Sequence, residues 1–201
     1  MKLFYKAGAC SLSPHIVLEE LGLKYEAESV DLKARKTASG ADYLTINPKG
    51  YVPALQLDSG EVLTEGPAIV QYLADQVPAK KLAPANGTIE RYRLQSWLTF
   101  IGTEVHKQFS PLFNPASPEE TRAQSKANLE RRIAWVNEEL AGRDFLMGAD
   151  FSVADAYLFT VLSWARFVKL DLSAYGHVQA FLGRVAARPG VQAALKAEGL
   201  A

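Results

Sequence analysis

Through the first eighty residues, short β-prone apolar runs alternate with stretches of helical periodicity. Leu3-Phe4-Tyr5 predicts a strand that runs into a Gly-containing loop. Ser13-Pro14 opens a helix carrying Ile16, Val17, Leu18 and Leu21, and Gly22 stops it. A second strand is predicted at about Tyr25 to Val30. A polar stretch through Lys33, Arg35, Lys36 and Gly40 follows, then a short helical piece near Tyr43 to Ile46. Asn47-Pro48-Lys49-Gly50 reads as a turn. Strands at about Ala54 to Leu57 and Val62 to Leu63 flank Asp58-Ser59-Gly60 as a hairpin. Thr64-Glu65-Gly66-Pro67 then starts a helix with Ala68, Ile69, Tyr72 and Leu73 as its apolar stripe. The order is βαβ followed by αββα. A βαβ unit implies a parallel strand pair with a right-handed crossover, and the hairpin adds antiparallel strands.

Pro78 to Gly87 has two prolines, an Asn-Gly pair and little periodicity, and reads as a linker. Beyond it every segment reads as helix: about Ile89 to Phe109, Pro118 to Leu140, Val153 to Val168, and a pair between His177 and Lys196. Residues 1–80 are thus expected to form an α/β domain and residues 87–201 an all-helical one. Ser152-Val153-Ala154-Asp155 has the form of a capping box, which makes Asp155 a structural rather than a catalytic carboxylate. At about 100° per residue, Leu94, Trp97, Leu98, Ile101, Val105 and Phe109 share one side of their helix. Thr99, Thr103, His106 and Ser110 share the other. His106 is then either solvated or turned toward something polar, such as a ligand or the other domain.

Composition narrows the function classes. The chain has 201 residues, 48% of them hydrophobic and 22% charged, with no repeat, which is the profile of an ordinary globular protein. Twenty-two basic residues balance twenty-two acidic ones. That leaves no electrostatic footprint for nucleic acid or an anionic membrane. The start Met-Lys-Leu-Phe-Tyr-Lys lacks the apolar core of a signal peptide, and no apolar run approaches a bilayer span. A cytoplasmic protein is expected, with no nucleic-acid or membrane partner.

Cys10 is the single cysteine, so no intramolecular disulfide forms. It lies where the first strand gives way to the first helix. Helix-start N–H groups and the helix dipole favour thiolate, the reactive form. The alternative is a small buried hydrophobe. His15 and His177 read as local structure, and Tyr5 as strand packing.

Four segments in this order resemble the glutathione S-transferases, most closely the bacterial beta class, over essentially the full length. They are Lys2 to Tyr5 with Gly8-Ala9-Cys10-Ser11, Asn47 to Leu55, Leu63 to Ile69, and Ser152 to Asp155. The resemblance implies a thioredoxin-like glutathione-binding domain, a helical domain that supplies a hydrophobic electrophile site, and a homodimer. It implies a cis bond at Pro53, and pairing of the Val52 main chain with the cysteinyl part of glutathione. Tyr51 belongs to the same binding edge. The helix-start N–H of Gly66 would take the γ-glutamyl carboxylate, Glu65 the ammonium, and Arg35 the glycyl carboxylate. Thr99, Thr103, Glu104 and His106 map to the helical-domain side of the site, although Glu104 lies off the polar stripe. Phe109, Phe113 and Trp164 would line the electrophile pocket. Gly66 stands where the family often has Ser. Thr99 stands where related proteins carry an Asn that reaches across a dimer interface.

The implied chemistry is attack by the glutathione thiolate on an electrophilic carbon of a hydrophobic substrate, in detoxification and with halide displacement as one form. Glutathione is the co-substrate, and no metal is expected. Cys10 takes the place of the Tyr or Ser hydroxyl that stabilises the thiolate in many relatives, with Ser11, His106 and Lys107 in support. Glutaredoxin-like exchange through a Cys10 mixed disulfide is the alternative. A non-catalytic binding or regulatory module is the third reading.

Overall fold

A computed structural model describes all of residues 1–201. The chain divides into two compact units, one of residues 1–83 with 187–201 and the other of residues 84–186.

The first unit is built on a five-stranded mixed sheet of order β3-β2-β1-β4-β5. Its strands are β1 (Lys2–Tyr5), β2 (Glu26–Asp31), β3 (Lys36–Thr37), β4 (Ala54–Gln56) and β5 (Val62–Thr64). The sequence pattern missed only β3, whose two residues are too few to show alternation. β1 and β2 are parallel, joined by α1 (Leu12–Leu21); β1–β4 and β4–β5 are antiparallel. Alternation along β1 sends Phe4 to one face and Leu3 to the other. Phe4 packs with Val30, Val52, Ala54 and Tyr43 of α2 (Tyr43–Ile46). Leu3 and its register partner Leu55 are fully buried on the other face, where α1 and α3 (Gly66–Gln76) lie against each other.

The second domain was expected to run through residue 201, but its last fifteen residues belong to the first unit. Helix α9 (Pro189–Ala197) packs on α1, at a spacing only glycine permits. A Cβ on Gly190 would come within 2.9 Å of the Glu20 backbone nitrogen. Arg188 forks onto Glu20, with N–O distances of 3.0 and 2.6 Å. Beyond α9, Glu198 is buried, accepting from the Gly8 N–H at 2.8 Å and meeting His15 Nδ1 at 2.8 Å. These partners are some 180 to 190 residues apart in sequence, too far for any local pattern to reveal.

The second unit is helical: α4 (Ile89–Phe100), α5 (Lys107–Phe113), α6 (Glu119–Glu139), α7 (Val153–Leu162) and α8 (Gly176–Ala186). All ten residues of α7 are buried, as an all-round apolar helix demands. Asp155 anchors its start. The carboxylate accepts from the Ser152 N–H and hydroxyl at 2.8 and 2.7 Å and from the Leu146 N–H at 2.8 Å. Burial pushes its pKa up to about 6 despite those donors. The long helix expected from Ile89 to Phe109 does form without a break, but residues Ile101–His106 wind as a π-helix. No helix is long and apolar enough to cross a membrane.

Candidate active site

Strand register brings three loops of the first unit to one end of the sheet. Phe4 pairs with Ala54, so the chain just after β1 lies beside the chain just before β4. The first loop carries Cys10 and the second carries Val52 and Pro53. Ala54 pairs in turn with Thr64, which puts Glu65 and Gly66 beside Pro53. The parallel β1–β2 pair delivers the turn after β2, with Arg35, to the same end.

The Cys10 thiol is partly exposed and donates to the Val52 carbonyl at 3.2 Å. A carbonyl can accept but cannot donate, so this contact belongs to the protonated thiol and offers nothing to a thiolate. Ser11 is fully buried, and its hydroxyl accepts from the Lys6 N–H at 3.1 Å and donates to the Lys6 carbonyl at 3.2 Å. It therefore shapes the loop, and its hydroxyl is turned away from the electrostatic support expected of it.

The Val52–Pro53 bond is cis, as the resemblance implied. The edge before it is fixed from behind. The Tyr43 hydroxyl and the Asn47 amide each donate to the Tyr51 carbonyl at 2.8 Å. The Tyr51 ring itself is 72% exposed. Arg35 adopts a left-handed conformation (φ 56°) and lays its guanidinium against Gly50. A Cβ on Gly50 would fall 2.4 Å from an Arg35 nitrogen, so glycine there makes room for the cation. Glu65 also has positive φ (71°) just ahead of α3, and its carboxylate meets Lys49 Nζ at 2.6 Å. Lys49 also donates to the Thr64 hydroxyl at 3.1 Å. Gly66 opens α3, where the positive end of the helix dipole lies.

In the second unit, Thr99 and Thr103 are exposed on one helical face, and the Thr103 hydroxyl donates back to the Thr99 carbonyl at 3.0 Å. The π turn adds residues per turn, so the uniform phase used for this helix does not hold beyond Phe100. His106 is consequently not solvated. Its Nδ1 lies 2.7 Å from the Tyr157 hydroxyl, and its ring meets Trp164 edge-on at 4.9 Å. Burial, with the nearby Lys107 charge, lowers its pKa to about 4. His106 is therefore a neutral imidazole at neutral pH, with one nitrogen engaged by Tyr157. Glu104 is taken up by Arg132, at 2.8 Å from Nε and 2.7 Å from Nη2. Lys107 is exposed.

Phe109, Phe113 and Trp164 do come together, with ring centroids 5.5–6.1 Å apart. Phe109 is fully buried and Trp164 nearly so, which leaves Phe113, 46% exposed, as the ring that offers surface. No group of three or more His, Cys, Asp or Glu side chains is placed to hold a metal ion. Sequence reasoning missed Lys49, Tyr157 and Glu198. Lys49 sat in a segment already singled out, whereas Tyr157 and Glu198 reach their partners only through the fold.

Comparison with known proteins follows the same division. Residues 7–76 match the glutathione S-transferase N-terminal domain and residues 100–189 the C-terminal domain of that family. The chain is 52% identical over 200 residues to glutathione S-transferase GstA of Escherichia coli O157:H7, with all of both chains covered. The structure of a sphingomonad glutathione S-transferase complexed with glutathione superposes with a TM-score of 0.96 at 55% identity over the whole of both chains. A bacterial beta class glutathione S-transferase from Sphingomonas chungbukensis superposes at 0.97 and 52% identity, again with both chains fully covered. With these likenesses and the cis-proline edge beside Cys10, the chain belongs to the glutathione S-transferase family, in its bacterial beta class.

Proposed function

We propose that the protein conjugates glutathione to hydrophobic electrophiles, with the thiol of Cys10 beside the glutathione sulfur. The observation that carries this reading is the single sheet end that gathers Cys10, Val52-Pro53, Glu65-Gly66 and Arg35. Glutathione is an extended tripeptide with charge at both ends and a thiol between them. In this reading the Val52 main chain takes the cysteinyl part as an added strand. Glu65 takes the γ-glutamyl ammonium, the Gly66 N–H takes its carboxylate, and Arg35 takes the glycyl carboxylate. Tyr51 walls the same edge. Lys49 holds Glu65 until the ammonium arrives. That ion pair is exposed, and such pairs are worth only about 0–1 kcal/mol, so it is readily exchanged.

The thiol of Cys10 then exchanges its contact with the Val52 carbonyl for one with the glutathione sulfur. A donated S–H stabilises the glutathione thiolate and leaves its lone pair free to attack carbon. The second unit contributes Thr99, Thr103, Glu104, Lys107 and a neutral His106, with Phe113 over Phe109 and Trp164 facing the electrophile. The active form is a homodimer working in the cytoplasm.

A second reading rests on the same partial exposure of Cys10. The Cys10 thiolate attacks a mixed disulfide at its glutathione sulfur and releases the other thiol. A free glutathione thiolate then attacks the Cys10–glutathione disulfide, giving oxidised glutathione and free Cys10.

Retention on immobilised glutathione tests both readings at once, and failure to bind overturns both. Cys10→Ala and Cys10→Ser, assayed on an aryl halide and on a mixed disulfide, then separate them. Loss of both activities in Cys10→Ala supports conjugation assisted by Cys10. Loss of the disulfide activity alone assigns Cys10 to exchange.

A further inference from the structure

His15 and His106 are each engaged through Nδ1, but by partners of opposite chemistry. His15 Nδ1 lies 2.8 Å from the Glu198 carboxylate. A carboxylate only accepts, so that nitrogen carries a proton. His106 Nδ1 instead faces the Tyr157 hydroxyl, at 2.7 Å. The imidazole nitrogen is the better acceptor of this pair and the phenol the better donor, so the hydroxyl donates. The one proton of a neutral ring is then left on Nε2. His106 Nε2 has no hydrogen-bond partner within the protein, and it is not sealed in the core as His15 Nε2 is.

The fold holds the Tyr157 hydroxyl in place. Tyr157 is 4% exposed on α7, all of whose residues are buried. Its hydroxyl lies against Gly102, where a Cβ would come within 3.6 Å of it. Gly102 and His106 belong to the same π turn, so this winding brings both to one hydroxyl. Such turns are frequent at functional sites. Trp164 meets the imidazole at 69° with centroids 4.9 Å apart, and Trp164 is also the ring that packs on Phe109 and Phe113. The half-buried imidazole therefore borders the rings assigned to the electrophile. Of the charged groups beside it in the turn, Lys107 is exposed, and Glu104 is taken up by Arg132 and does not compete for Nδ1.

We propose that Tyr157 is a positioning residue whose hydroxyl fixes His106 as the Nε2–H tautomer, so that His106 offers the electrophile a neutral hydrogen-bond donor and not a base. This deepens the conjugation reading above and rests on it for the reaction. A bare Nε2 would take the proton of the glutathione thiol. An Nε2–H keeps its proton throughout and donates to the negative charge that builds on the electrophile as sulfur attacks, and the thiol proton goes to solvent. Burial agrees with this role, since a ring whose pKa is lowered to about 4 is too weak a base to hold a thiol proton at neutral pH.

The test labels histidine with ¹⁵N and reads the ring nitrogens of the ligand-free protein by long-range NMR correlation, with three histidines to assign. His106 is expected to carry its proton on Nε2 alone, and His15 to carry one on Nδ1. A proton on His106 Nδ1 at neutral pH overturns the proposal. In Tyr157→Phe the His106 Nδ1 resonance should move downfield as its donor is lost. The kcat on an aryl halide should fall about fivefold, with KM for glutathione little changed. His106→Gln keeps a neutral N–H donor near the place of Nε2 and should lower kcat about threefold, whereas His106→Ala should lower it about tenfold. Equal losses in these two variants overturn the donor role, as does an Nδ1 resonance that ignores Tyr157→Phe. The wild-type spectrum decides the tautomer even where a variant fails to fold. It is read without ligand, so failure to be retained on immobilised glutathione refutes the conjugation reading separately.

Discussion

The two units place their candidate site residues by different means. Around Cys10 the decisive groups are main-chain atoms placed by strand register, Phe4 against Ala54 and Ala54 against Thr64. Around His106 they are side chains on a helix whose phase is changed by six residues of π turn. Each half is anchored by a buried carboxylate, Glu198 for the Cys10 loop through Gly8 and Asp155 for the start of α7. Register tolerates side-chain change while the helical face does not, and this sets where substitutions should act.

The largest effect should come from the anchor of the first half. Glu198→Ala removes the carboxylate that accepts from the Gly8 N–H and meets His15 Nδ1. We expect a loss of about 4 kcal/mol in urea unfolding, of the size seen when the acceptor of a buried hydrogen-bond network is removed. A loss below about 1 kcal/mol would show that register alone holds the Cys10 loop, and the comparison would lose its symmetry.

The second anchor should respond to pH. The pKa of Asp155 is raised from 3.8 to about 6 in the folded protein, so the native state holds this proton more tightly than the unfolded chain does. Its contribution is complete below pH 3.8 and is lost as pH rises through about 6. Asp155→Asn cannot titrate. The stability of the wild type relative to this variant should therefore fall by roughly 2–3 kcal/mol across that window and stay flat above it. Chemical denaturation at several pH values measures this, and a difference independent of pH would refute the assignment.

What the sequence disclosed follows the same division. Asp155 and Ser152 are three residues apart, and their capping box could be read from spacing alone. Asn47 to Leu55 and Leu63 to Ile69 are short strings that carry their own turn and helix-start chemistry, so the Cys10 half was visible in outline. The π turn has no comparable signature, because one inserted residue alters the phase without altering composition. His106 was therefore placed on a polar stripe, when Tyr157 and Trp164 in fact bed it. Glu198 anchors a loop 190 residues away, so the packing of residues 187–201 on the first unit had no local signal in the sequence.

Tyr157→Phe tests the helical half on its own. It leaves the ring packing in place and removes the hydroxyl that engages His106 Nδ1. One such hydrogen bond is worth about 1 kcal/mol, so kcat/KM for conjugation should fall about fivefold. If His106 acts through its orientation, the loss should lie in kcat with KM for glutathione little changed. An unchanged kcat/KM would remove His106 from the site and leave catalysis to the register-built half.

The smallest effect tests the first half by addition. Gly66 has no left-handed strain, and a Cβ there would meet Pro53 Cγ at 3.8 Å, an ordinary contact. Gly66→Ser should therefore fold unchanged and add a hydroxyl at the start of α3, where an anion is favoured. Because the main-chain N–H already makes the principal contact in this reading, the gain should be modest. KM for glutathione is expected to fall about two- to threefold, equivalent to one weak additional hydrogen bond. A rise in KM would mean that the γ-glutamyl group does not sit at this helix start, since the backbone that Ser inherits from Gly is unstrained.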